Sequence, residues 1–108
     1  MSKRPGKAVR GSTTGRPIMI LLDVLGKRWT LRILWELASE GAGTFRDIQK
    51  RCGDISPTLL NTRLKELREL NLVAHSTSGY ALTQFGEALA KHLGPLDTWA
   101  NEWARSLD

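Results

Sequence analysis

A chain of 108 residues, 41% of them apolar, can bury one core without disulfides or metal and has no room for a second domain. Its formal charge of +5 is uneven: Lys3, Arg4, Lys7, Arg10 and Arg16 fall in the first sixteen residues, which hold no acid, and the other eleven cations balance eleven acids. No apolar run approaches the about 20 residues that span a bilayer, and the single cysteine, Cys52, permits no internal disulfide, which sets aside membrane proteins and disulfide scaffolds.

Residues 1–16 mix cations with Gly, Pro, Ser and Thr, bury too little apolar surface to fold, and read as a flexible basic arm. Such an arm suits nucleic acid, because each cation placed near a phosphate releases condensed counterions. An idle solubilising terminus explains the same composition. The run "IMILLDVL" that follows mimics the start of a secretory signal, but it is short, contains Asp23 and lacks a small-residue cleavage site. A soluble, cytoplasmic protein is expected.

Residues 17–108 are expected to form the folded domain. "IMILLDVL", after Pro17, is apolar almost all round and predicts a first helix that needs cover on several sides, ended by Gly26. Trp29, Ile33, Leu34 and Leu37 keep helical spacing and predict a second helix from Trp29 until "EGAG" breaks it. Thr44 and Asp47 form a capping box for a short third helix ending near Cys52 and Gly53. Ser56 caps a fourth helix whose first turn holds Pro57. "LVAHS" and "YAL", joined by "TSG", predict a tight β-hairpin. Thr83 then starts a long last helix carrying Phe85, Leu89, Leu93, Leu96, Trp99, Trp103 and Leu107, with a kink expected at Gly94-Pro95. The fold class is mainly α with a small β-hairpin, in the order of a winged helix-turn-helix.

On the fourth helix Leu60, Leu64, Leu67 and Asn71 project within about 40° of one another and form the predicted core stripe. Thr58, Asn61, Thr62 and Lys65 point away from it, with Glu69. Asn61 can read an adenine edge with donor and acceptor together, Lys65 suits guanine or phosphate, and threonine can bond either way or touch a thymine methyl. Their concentration in the first turns suits a helix entering the major groove by its amino-terminal half, with Ser56 at its start and Glu66 and Glu69 left behind. A solvated helix face is the bland alternative. Arg46 on the third helix and Lys27 and Arg28 before the second are candidate phosphate contacts. Arg63, at the margin of the stripe, fits either an internal salt bridge or a phosphate contact.

"LLDVLGKRWTLRILWEL", "TFRDIQKRCGDISPTLLNTRLKELRELNLV" and "YALTQFGEAL" resemble the signature blocks of HxlR-type transcriptional regulators, a winged-helix branch related to MarR, over residues 21 to about 90. The resemblance implies a homodimer on a pseudo-palindromic operator, with the first and last helices as its interface and the fourth helix reading double-stranded DNA. The sequence supports such an interface independently, at Ile18, Leu21, Leu22 and Leu25 of the first helix and at Leu93, Leu96, Trp99 and Trp103 of the last, where apolar surface exceeds what one small domain can cover. Two features depart from the family pattern. The cysteine by which thiol-sensing members resemble one another is missing before the first helix, where this chain reads "GRPIMILLD", and Cys52 reads as a buried structural thiol. The hairpin tip "HSTSG" is short and lacks an arginine, leaving hydroxyl or imidazole contacts to phosphate and a role in the minor groove for the basic arm.

Rival classes fare less well. His75, His92 and Cys52 are scattered over three elements and neither converge for catalysis nor keep metal-ligand spacing, so no enzyme, metal or cofactor is expected. A protein-docking winged helix without sequence-specific DNA binding remains an alternative. So does a small aromatic effector held in a pocket between subunits by Trp29, Trp35, Trp99 and Trp103.

Overall fold

The computed structural model describes residues 15–108, so the arm expected over residues 1–16 falls outside that span except for Gly15 and Arg16. The order is α1 (Pro17–Leu25), α2 (Thr30–Glu40), α3 (Phe45–Arg51), α4 (Pro57–Glu69), β1 (Val73–Ser76), β2 (Gly79–Leu82), α5 (Gln84–Ala90) and α6 (Leu93–Ser106). This is the winged helix-turn-helix arrangement. No helix among the described residues is long and apolar enough to cross a membrane.

Local chemistry sets most of the boundaries. Pro17 opens α1, and the Gly26 N–H closes it on the Leu22 carbonyl. The Thr44 hydroxyl accepts from Asp47 N–H at 3.1 Å while Asp47 accepts from Thr44 N–H at 3.0 Å, the reciprocal capping box. The backbone N–H and hydroxyl of Thr44 hold the Asp47 carboxyl below its ordinary value. Ser56 accepts from Leu59 N–H at 3.2 Å, and Pro57 takes the first position of α4, where no amide hydrogen is needed. Between α3 and α4 the chain reverses through Gly53 and Asp54, both left-handed at φ 71° and 62°. Gln49 straps this turn by donating to the Ile55 carbonyl at 2.9 Å.

Four expectations change. The second helix begins at Thr30, because Trp29 adopts a left-handed φ of 77° in the tight connection from α1. Asn71 is exposed and left-handed, with φ 59°. It ends α4 instead of extending the core stripe: Leu72 N–H reaches back to the Leu67 carbonyl and Asn71 N–H to that of Arg68, a Schellman termination that asparagine tolerates. Gly79 belongs to β2, so the hairpin turns on Thr77 and Ser78, with Val73 opposite Leu82 and Ser76 opposite Gly79. The last helix is two helices, broken at Lys91 and His92 and not at Gly94-Pro95. A proline ring clashes with the carbonyl four residues earlier, here that of Lys91, and needs no N–H partner in a first turn, so the chain breaks upstream and restarts with Pro95 inside the new turn.

The core joins Ile33, Leu34 and Leu37 of α2, Ile48 of α3 and Cys52 at its end, Ile55, Leu60, Leu64 and Leu67 from the α4 segment, Leu72 before the hairpin, Val73 and Tyr80 within it, and Leu93 at the start of α6. Ile20 and Val24 bury the inner side of α1. The hairpin gains a third partner, since Gly43 and Tyr80 exchange backbone bonds of 2.9 and 2.7 Å.

Gly86 is buried where α5 crosses the base of the hairpin, and a Cβ there would sit inside the van der Waals shell of the Leu72 carbonyl oxygen. Because that oxygen already accepts from Thr83 N–H at 3.0 Å, it cannot swing aside freely. Gly86→Ala should lower unfolding free energy by about 3 kcal/mol, the upper end of ordinary overpacking, as read by urea denaturation.

Candidate nucleic-acid interface

The stripe and the polar face of α4 separate cleanly. Leu60, Leu64 and Leu67 are fully buried, while Thr58, Asn61, Thr62 and Lys65 are all exposed. Thr62 donates its hydroxyl to the Thr58 carbonyl at 3.0 Å, which fixes the rotor and leaves its oxygen outward as an acceptor. The side chains of Thr58, Asn61 and Lys65 make no hydrogen bond or ion pair with the described residues. Donors and acceptors held on a rigid helix without internal partners keep their bonding capacity for another molecule.

The candidate phosphate contacts divide into two groups. Arg46, in the first turn of α3, and Arg28 are exposed, with the Arg28 guanidinium 5.8 Å from the centre of the Trp29 ring. Lys27 is instead turned into the protein, and Arg63 takes the internal salt bridge, one of the two readings its position allows. Lys27 Nζ lies 2.6 Å from Glu66 Oε2, Arg63 Nη1 lies 3.0 Å from Glu66 Oε1, and Arg63 Nε donates to the Arg28 carbonyl at 2.8 Å. Both are therefore removed from the set of free cations and belong to a clamp between the α1–α2 turn and α4. Burial pushes the Glu66 carboxyl up, but Lys27 and Arg63 outweigh it and hold the group below its ordinary value. A lowered folded-state value stabilises the fold above the unfolded pKa, and the contribution is lost as pH falls through the folded one.

One residue of this surface is not singled out by the sequence. Arg68 is exposed, and with Asn61, Lys65, Glu69 and Val73 it lines an open groove of about 440 Å³ between α4 and β1. Its position seven residues after Asn61 was the available signal, since i and i+7 share one side of a helix. Glu69, expected to stay behind, lies in the same groove. At the hairpin tip Ser76 and Ser78 pair their hydroxyls at 2.9 Å, and His75 stacks on Tyr80 with ring centres 4.0 Å apart. Hydroxyls thus form the end of the wing.

The fold that carries this helix and hairpin agrees with the known proteins the chain matches. The profile of the HxlR-like helix-turn-helix family matches residues 24–108. The chain belongs to that family. It is a transcriptional regulator of HxlR type. The uncharacterised HTH-type transcriptional regulator YvaP of Bacillus subtilis (strain 168) is 35% identical over 89 residues, 76% of this chain and 82% of YvaP. The crystal structure of quinone-bound YodB from B. subtilis superposes with a TM-score of 0.72 at 30% identity, covering 79% of this chain and 96% of YodB. A Thermoplasma volcanium protein described as a possible HxlR family transcriptional factor gives 0.70 at 31% identity, covering 79% and 82%.

Within this HxlR-type chain the residues expected at a subunit contact fall into two sets. Leu93 is buried in the chain's own core, and Leu21 and Leu25 pack against that core. Ile18 and Leu22 on α1 and Leu96, Trp99 and Trp103 on α6 stay 47%, 53%, 54%, 57% and 52% exposed, with the two tryptophan rings stacked at 5.9 Å. Phe85, expected on the same continuous stripe, is exposed on α5. Trp35 lines a depression of about 190 Å³ with Leu31, Leu93, Leu96, Asp97 and Ala100, while Trp29 packs against the core. Cys52 is buried in the core, and burial pushes its thiol up, so it lacks the exposed thiolate that redox chemistry needs.

Proposed function

We propose that this HxlR-type regulator binds a pseudo-palindromic operator as a homodimer, with Thr58, Asn61, Thr62 and Lys65 reading base edges in the major groove. Arg28, Arg46 and Arg68 hold phosphates on either side, with Ser56 at the helix start, and the outward faces of α1 and α6 join the subunits. The observation that carries this reading is the polar face of α4, held rigid over a fully buried leucine stripe, with the side chains of Thr58, Asn61 and Lys65 left without partners among the described residues. A solvated face accounts for exposure but not for the concentration of donors and acceptors in the amino-terminal half, where a recognition helix meets the bases.

Selection from a pool of random duplexes, followed by footprinting, tests it. The enriched site should be an inverted repeat with half-site centres about one helical turn apart, roughly 34 Å along the duplex. A chain that enriches no sequence, while remaining folded, would leave the protein-docking alternative. A small effector is supported more narrowly. YodB has been crystallised with a quinone bound, and here the apolar depression beside Trp35 adjoins the outward face of α6, where a second subunit would deepen it.

A further inference from the structure

The Glu66 clamp is not accounted for by packing alone. One carboxylate receives two cations, Lys27 Nζ at 2.6 Å from the α1–α2 turn and Arg63 Nη1 at 3.0 Å from its own helix, and Arg63 returns to the turn through the Arg28 carbonyl at 2.8 Å. The side chains of Arg63, Lys27 and Glu66 are only 16%, 19% and 26% exposed, so water screens the ion pairs weakly. Two of the three links cross from α4 to the turn. A stripe of leucines resists separation of two helices but has no direction, whereas these bonds hold only at one rotation and one axial position of α4.

That rotation matters because Glu66 follows Lys65 directly and lies one turn beyond Thr62. Neighbouring residues on a helix are about 100° apart, so any turn of α4 that releases Glu66 sweeps Lys65 and Thr62 across the groove. The other end of the clamp continues into α1, whose Ile18 and Leu22 face outward.

We propose that Glu66 is a positioning residue for DNA reading: with Lys27 and Arg63 it sets the rotation of α4 against the α1–α2 turn, and so passes the placement of α1 to the base-reading face. This rests on the operator-binding reading above. Lys27 then acts through Glu66 and not on phosphate.

The test uses the full chain and an operator enriched from random duplexes. Glu66→Gln keeps volume and removes charge. Its operator affinity should fall about tenfold, the worth of one misplaced base contact, while affinity for random duplex holds or rises, so that their ratio changes. A merely structural loss lowers both affinities together. Lys27→Met should reproduce the lost discrimination with an unchanged salt slope, and the Lys27→Met/Glu66→Gln pair should be no worse than the poorer single variant. The pair also carries the test should Glu66→Gln fail to fold, because it removes a buried cation together with its carboxylate. A salt slope lowered by about one in Lys27→Met marks a direct phosphate contact and overturns the proposal. So does undiminished discrimination by Glu66→Gln. A wild-type chain that enriches no sequence overturns the operator-binding reading instead, and this one with it.

Discussion

Asn61→Ala combined with Lys65→Glu should give a folded dimer that no longer protects its operator. Both side chains are exposed and bond to nothing among the described residues, so removing them costs the fold little. A bidentate base contact is worth about 1–3 kcal/mol, and reversing Lys65 adds an acid next to Glu69, in the groove that both residues line. Two carboxylates would then face the phosphates where one cation stood. Operator affinity is expected to drop more than about 100-fold, with the salt slope reduced, since a released counterion is lost as well. Fluorescence anisotropy on the operator and sedimentation velocity on the free protein check the two halves of the expectation. Protection that survives the double substitution would place DNA reading elsewhere.

Trp99→Glu together with Trp103→Glu should convert the protein to monomers and cut operator affinity by about 10²–10⁴-fold, the gain that a second linked site contributes. The two rings stack at 5.9 Å on the outer side of α6 and are more than half exposed, as are Leu96 on the same helix and Leu107 just after it. Monomeric proteins rarely leave so much apolar surface in water, and Ile18 and Leu22 are exposed on α1 as well. Carboxylates at the centre of that face would have to be desolvated without partners, which association cannot offset. Sedimentation equilibrium reads the mass directly. An unchanged dimer would assign the contact to another face, while the α4 surface would still bind half-sites singly.

What was legible in the sequence was local. Thr44 with Asp47, Ser56 with Pro57, and the spacing of Leu60, Leu64 and Leu67 each act within a few residues, and the elements they imply are present with nearly the expected bounds. The polar face of α4 followed from the same arithmetic. The clamp did not, because Lys27 and Glu66 are 39 positions apart and only the packed fold brings them together. A surface-favouring lysine gives no hint that it will be turned inward. The single stripe read through Phe85 to Leu107 failed for a related reason: the break at Lys91 and His92 resets helical phase, so Leu93 points into the core while Phe85 does not. Trp29 and Asn71 carry left-handed backbones that chain topology demands, and periodicity has no means of signalling them.

The exchange of backbone bonds between Gly43 and Tyr80 has a further consequence for the wing. It anchors β2 two residues after the turn, to the segment between α2 and α3, and Gly79 lies so close to the Gly43 carbonyl that a side chain would not fit there, whereas the side chains of Thr77 and Ser78 are exposed. The backbone of the turn is therefore braced, and only those two outward side chains are decoupled from the integrity of the domain. The same scaffold can carry more basic side chains at those two positions without renegotiating the interior.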